Sequence, residues 1–221
     1  MLYIFKKMIL NSFLSGISLG SFVYLLGRFL DITLSADSYL RLMSEKGELL
    51  EKGLCLCRKN LLVVGPLIYT FVDICFINHN MLYSFRDMCD IIIVHSIGYY
   101  GAHRSMHENG KIKKIHLFHH EFDQILIPSI GNAVSVEEFC YAYMLPFVFG
   151  TIIIRPATIS FISGVGMISV FNLIIHCKEL EKIKYMEMFV SPRKHITHHK
   201  TSNKHYSAPI LDLEYLLAFN K

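Results

Sequence analysis

The stretch FCYAYMLPFVFGTIIIRPATISFISGVGMISVFNLIIH, residues 139–176, decides the fold. It consists of two apolar runs, 139–154 and 157–175, that meet at Arg155-Pro156. A proline there lacks the N–H a continuing helix needs and clashes with the preceding turn, so the pair reads as a helical hairpin. Going out and back, the hairpin returns the chain to the face it left and delivers His176 there. Outside it, apolar segments stand at about 9–30, 61–77 and 90–102, against the roughly 20 residues a straight helical span needs. The first is long enough. Segment 90–102, DIIIVHSIGYYGA, reaches that length only if its helix runs on through Met106 or His107, which puts His103 and His107 at its C-terminal end. The expected fold class is all-α, an integral membrane helical bundle of about four to five membrane segments in one domain, residues 1–221.

Composition agrees with that setting. With 52% hydrophobic residues and 18% charged ones, the chain is too apolar for an ordinary soluble domain. The net charge of +4 comes from basic residues scattered beside apolar runs, without the dense patch of a nucleic-acid binder. Six cysteines with no C-x-x-C pair exclude a disulfide scaffold or a zinc ribbon and are expected as free thiols. Lys6 and Lys7 precede a long apolar segment with no clear small-residue cleavage site, which reads as a retained anchor.

The stretches 31–60, 103–138 and 176–221 read as polar connections and carry most of the lysine and arginine, while the opposite connections hold only Arg86 and Arg155. By the positive-inside rule the three basic regions face the cytoplasm. Lys6 and Lys7 disagree with it, because five full crossings put them outside. Either the first segment does not fully cross or the rule fails at that end.

Nine of the twelve histidines fall in four groups: His103 and His107; His116, His119 and His120; His176 alone; His195, His198 and His199. Residues at i, i+3 and i+4 share a helix face, so each cluster aims its imidazoles in one direction. All four groups belong to regions assigned to one membrane face. So many neutral imidazoles in one place would otherwise need many separate hydrogen-bond partners, and two metal ions account for them better. Ligand type alone does not choose among zinc, copper, iron and nickel. Nine ligands exceed a four-ligand structural zinc or a three-ligand catalytic one, and suit a dinuclear centre with open positions for dioxygen.

The order HxxxH, HxxHH, a lone histidine after a hairpin, then HxxHH resembles the fatty acid hydroxylase and sterol desaturase superfamily of membrane diiron oxygenases. HRSMH is similar to that family's first box, and HLFHHEF to the second box of the sterol 4-methyl oxidases. SPRKHITHHKTSNKHYSAPILDLEYLL is similar to the closing region, where family members usually read HxxHH, then Asn-Tyr-Gly and a Trp-Asp pair; here His205-Tyr206-Ser207 and Leu211-Asp212 stand instead. Some members have HxxxH at the third group, where this chain has Asn172 ahead of His176.

The resemblance implies a catalytic region at 88–216 behind an N-terminal anchor and second membrane segment at 1–87. It implies that His103, His107, His116, His119, His120, His176, His195, His198 and His199 hold two iron ions at the cytoplasmic face. Asn172 and His205 stand as further metal or supporting residues, and no catalytic residue beyond the ligands is expected. The implied reaction is hydroxylation or desaturation of a membrane lipid with O2, in sterol biosynthesis at the endoplasmic reticulum, with sphingolipid or fatty acyl substrates as alternatives. Electrons come from a separate cytochrome b and an NAD(P)H reductase, for which the surface near Lys111, Lys113 and Lys114 offers a basic landing site. The competing readings are an inactive relative that keeps metal or lipid, favoured by the divergent end, and a metal transporter, disfavoured because the histidines gather at one face. His95 is expected as a hydrogen-bonded histidine within its span, His79 as a loop residue on the far face, and Glu121 and Asp123 as solvated carboxylates. The aromatic residues are expected in packing.

Overall fold

Hairpin 139–176 is present as two antiparallel helices. In the computed structural model, which describes residues 2–123 and 125–218, the chain forms α1 (Leu2–Thr33), α2 (Ala36–Cys75), α3 (Phe85–Glu108), α4 (Lys113–His120), α5 (Val136–Ile154), α6 (Thr158–Ile175), α7 (Pro192–Thr201) and α8 (Leu213–Ala218). Among the described residues there is no β-strand, only isolated bridges such as Asn78 with Ala157. The tip of the hairpin turns at Arg155, whose φ of 50° stops α5, and the Pro156 carbonyl accepts the Asn78 N–H at 3.0 Å just beyond α2.

Four helices, with candidate spans Phe5–Thr33, Ala36–Cys75, Val136–Ile154 and Thr158–Ile175, are long and apolar enough to cross a membrane. Helix α3 runs between the arms of the hairpin, its Gly98 against Pro146 and its Ile91 against both Gly150 and Gly164. Ser84 caps α3, its Oγ accepting the Asp87 N–H at 3.2 Å, and the helix continues past His107 as the span-length argument requires. Phe22, Leu25, Phe29, Leu67, Ile153 and Ile159 are exposed on the outside, an apolar surface far too large for water and suited to lipid.

Two expectations about connections are corrected. Residues 31–60 are not a polar loop: 36–59 is helical, continues through a π turn at Asn60–Val64, and merges with the apolar segment to make α2. Its charges face out, while Leu42, Leu50, Gly53 and Cys57, at helical spacing, face in. Nor is 103–138 polar throughout, since Ile125, Leu126, Ile127, Ile130 and Ala133 are buried as a core cluster with Leu42 and Leu50 of α2, and Val134 is buried in a neighbouring cluster with Val23 of α1. A buried loop must have its backbone satisfied. Asp31 accepts the Ser129 N–H, Asn60 Nδ2 donates to the Asn132 and Val134 carbonyls, and Tyr143 and Asn172 both donate to the Gly131 carbonyl.

Helix α1 packs along α2, with Ser12 bonding Asp73 near one end, and Ser35, just past α1, bonds Glu179 beyond the end of α6, near His176. Lys6 and Lys7 therefore sit at the end of the bundle away from the histidines. Close approach in lipid relies on small residues. A Cβ built on Gly16 would stand 2.9 Å from Pro66 Cα, and one on Gly20 only 1.9 Å from the Leu61 carbonyl oxygen. Gly20→Ala should accordingly force α1 off α2 and cost about 1–3 kcal/mol, read as a lower melting temperature in detergent. Gly47→Ala, inside a helix and with nothing within 4 Å of the added carbon, should hold or slightly raise the melting temperature.

Candidate metal centre

Four pieces of chain meet at one end of the bundle: the last two turns of α3, all of α4, the C-cap of α6, and α7. Ser191 caps α7, accepting the Lys194 N–H at 3.2 Å with Pro192 at the first helical position, so the helix starts just ahead of its histidines. The nine histidines form two adjoining sets. His103, His107, His116, His120 and His198 make one, and His119, His176, His195 and His199 the other; within each, one ring nitrogen per residue lies within 4.8 Å of all the rest. The rings of His120 and His199, 4.7 Å apart, join the sets.

The two HxxHH boxes split in a regular way. Each gives its i, i+4 pair to one set, His116 with His120 and His195 with His199, and its odd member, His119 or His198, to the other. Both sets therefore draw on both boxes, and neither can form unless α4 and α7 are docked.

Hydrogen bonds behind the rings settle which nitrogen faces inward. His103 Nδ1 donates to the Tyr206 carbonyl at 2.8 Å, His176 Nδ1 to the Asn172 carbonyl at 2.7 Å and His198 Nδ1 to the Lys204 carbonyl at 2.8 Å. A carbonyl only accepts, so these rings carry their proton on Nδ1 and turn a bare lone pair inward from Nε2. His116 Nδ1 donates to Glu138 Oε1 at 2.6 Å, with the same result. Yet His103 Nε2 and His116 Nε2 stand 3.0 Å apart, and His176 Nε2 stands 2.9 Å from that of His195 and 3.3 Å from that of His119. The lone pairs of His103 and His116 do not face one another at that range without a cation between them, whereas His119 and His195 leave Nδ1 unpaired and can carry a proton on Nε2.

Protonation is not that cation. Burial first, then the neighbouring imidazoles, hold His116, His119, His195, His198 and His199 well below the usual histidine range. Burial brings His120 and His176 down to about 4. The residues fit metal ions instead. Nitrogens bonded at about 2.0–2.1 Å to one ion stand roughly 2.9 Å apart along an octahedral edge and roughly 3.4 Å along a tetrahedral one, and the separations here run from 2.9 to 3.3 Å. His198 Nε2 and both nitrogens of His199 are buried with no hydrogen-bond partner, as expected of groups that await an ion. His107 and His120 alone are partly exposed, so the five-histidine set borders the open side.

The other sequence candidates fall elsewhere. Asn172 stands behind His176, its carbonyl accepting from His176 Nδ1 while its side-chain amide donates to the Gly131 carbonyl. His205 is in neither set; its Nδ1 lies 3.5 Å from Glu214 Oε2. Glu121 and Asp123 are exposed, and His79 sits at the far end, near the Asp73 carbonyl. His95 is buried outside both sets, with the Tyr143 backbone carbonyl beside its ring.

Two residues were missed. Glu138 is fully buried, and the Ser135 cap at the start of α5 turns it toward His116. Glu214 accepts the consecutive N–H groups of His205 and Tyr206 and so fixes the loop whose carbonyls hold His103 and His198. The one signal for Glu138 was a capping motif, Ser135-Val-Glu-Glu138, opening an apolar run. Glu138→Leu should lower metal affinity of the five-histidine set by about 10–100-fold, seen as loss of one ion per chain on dialysis against a mild chelator while the other is retained.

Comparison with known proteins returns one family. The family described as fatty acid hydroxylase matches residues 88–215, which holds every histidine of both sets. Neither the curated proteins nor the solved structures include a match.

Proposed function

Because the chain belongs to the fatty acid hydroxylase family, a family of membrane lipid oxidoreductases, we propose that it hydroxylates or desaturates a sterol intermediate with O2 at a diiron centre held by the two histidine sets. The observation that carries this reading is the convergence of nine imidazoles, seven of them buried, in two adjoining sets. Two iron ions, when bound, supply oxygen activation and hydrogen abstraction from an unactivated carbon. The chain's own part is orientation and exclusion of water. Carbonyls of Asn172, Lys204 and Tyr206 and the carboxylate of Glu138 fix ring tautomers, and burial of seven of the nine rings keeps the centre dry. Sphingolipid and fatty acyl substrates are the alternatives.

No haem or dinucleotide motif is present in the sequence, so electrons come from outside, through a cytochrome b and an NAD(P)H reductase. Lys111, Lys113 and Lys114 are exposed beside the connection from α3 to α4 and offer an acidic carrier a basic face. The histidine end then faces the cytoplasm, in the endoplasmic reticulum membrane.

The test uses iron-loaded protein in lipid nanodiscs with reductase and cytochrome b. O2 consumption should depend on added sterol, and the product should gain one oxygen or lose two hydrogens. Metal without O2 use on sterol, ceramide or fatty acyl lipid would instead establish an inactive relative. Cysteines engineered near 112 and 202 should label from the cytoplasmic side and one near 80 from the other; opposite sides for 112 and 202 would refute the arrangement.

A further inference from the structure

Between α1, α2, α5 and α6 lies a narrow apolar cavity of about 80 Å³ with an open mouth. Gly20, Leu61, Phe147, Phe161 and Val165 are among its walls, and it reaches Asn172, whose carbonyl holds His176. Polar groups in the wall are few. Tyr143 and Asn172 are engaged with the Gly131 carbonyl. His95, 1% exposed, is not engaged: neither of its ring nitrogens makes a hydrogen bond.

A neutral imidazole offers one N–H and one lone pair. The Tyr143 backbone carbonyl bears on the ring from one side, so the N–H has an acceptor nearby although the contact falls short of hydrogen-bond geometry. Nothing in the wall supplies a donor to the other nitrogen. The ring is fixed by packing, with Phe147 4.2 Å away and Tyr99 6.0 Å away between centroids. A buried acceptor left bare is costly, and a water in so apolar a space would lack the two to four partners it requires. Asn132 Nδ2 is also unpartnered in this wall, but an amide N–H donates to any oxygen and cannot tell an alcohol from an ether.

We infer that His95 accepts a hydrogen bond from the hydroxyl group of the lipid substrate, so that this cavity selects alcohols over ethers, esters and ketones of the same shape. The inference rests on the lipid-oxidase reading above and adds the chemical class of its substrate. It also sets a length. His95 and His103 are eight residues apart on α3, roughly 12 Å along the axis at about 1.5 Å per residue. The hydroxyl is held two turns from the histidine sets, and the carbon oxidised lies toward the other end of the lipid's apolar body, remote from the oxygen that anchors it.

The test is competitive binding to iron-loaded protein in phosphatidylcholine nanodiscs, with cholesterol against its methyl ether and hexadecanol against its methyl ether. The wild type should bind an alcohol about tenfold more tightly than the matching ether. His95→Leu should erase that difference by weakening the alcohol alone, with unchanged iron content and melting temperature, and His95→Gln, which keeps an acceptor, should retain part of it. Equal binding of alcohol and ether by the wild type overturns the inference without any variant, as does a preference that survives in His95→Leu. If neither pair binds while added lipid is still oxidised, the His95 assignment alone fails; if no lipid binds and no O2 is used, the lipid-oxidase reading fails with it.

Discussion

His176→Ala should empty the four-histidine set. Metal content should fall from about two ions per chain to about one, and lipid oxidation to background. The reasoning is specific to this position. His176 has no histidine near it in sequence, and only the α5–α6 hairpin brings its Nε2 to 2.9 Å from that of His195. Its set has four nitrogens, the number a closed site needs, and removal of one leaves too few to hold an ion against competition. Loss of a supporting residue behind a ligand already costs about 10–100-fold in affinity, and loss of the ligand itself should exceed that. His79→Ala, at the far end, should be silent. A helix-dipole role for a histidine at the C-cap predicts at most about 1–2 kcal/mol of stability and no change in metal. A His176→Ala protein with two ions and full activity would reject the four-group site.

Stripping the metals should have an effect of similar size on stability. An ion present at a thousandfold its Kd contributes about 4 kcal/mol, so two contribute about 8. At about 2–4 °C per kcal/mol for a chain of this size, the melting temperature should fall by roughly 15–30 °C. Without cations the facing lone pairs of His103 and His116 repel each other inside the protein. Ferrous iron or zinc should restore the transition and magnesium should not, because imidazole suits the former pair. Differential scanning fluorimetry with metal analysis decides it. An unchanged melting temperature after verified removal would show that the histidines need no ion.

What could be read from the residues, and what could not, divides along range. The hairpin was legible because Arg155-Pro156 breaks an apolar run whose halves are each helical. The histidine groups were legible because their spacings are those of a helix face. Helix 36–59 was not, because its exposed charges outnumber its few buried positions, and the pattern reads as polar until α1 and the 125–134 segment are in place to cover Leu42 and Leu50. Burial of 125–134 itself depends on Asp31, Asn60, Tyr143 and Asn172, all distant in sequence. The Ser135 capping spacing singles out Glu138 over Glu137 but says nothing of its partner, His116, 22 residues away. The sharing of each HxxHH box between two sets also needed three dimensions, although its basis, an i, i+4 pair plus an odd member, is written in the spacing.

The hydrogen bonds from His103 to Tyr206 and from His198 to Lys204 end on peptide oxygens. A peptide oxygen survives any substitution of its own side chain. The closing segment can therefore drift in identity, as His205-Tyr206-Ser207 in place of Asn-Tyr-Gly illustrates, while the rings it steers keep their orientation. What evolution must preserve there is the course of the main chain, and hence Glu214, whose carboxylate holds that course. Divergence of letters at Lys204 is consequently a poor gauge of lost activity, and mutational tolerance should be high at 204 but low at 206, whose ring packs on His107 and His198, and at 214.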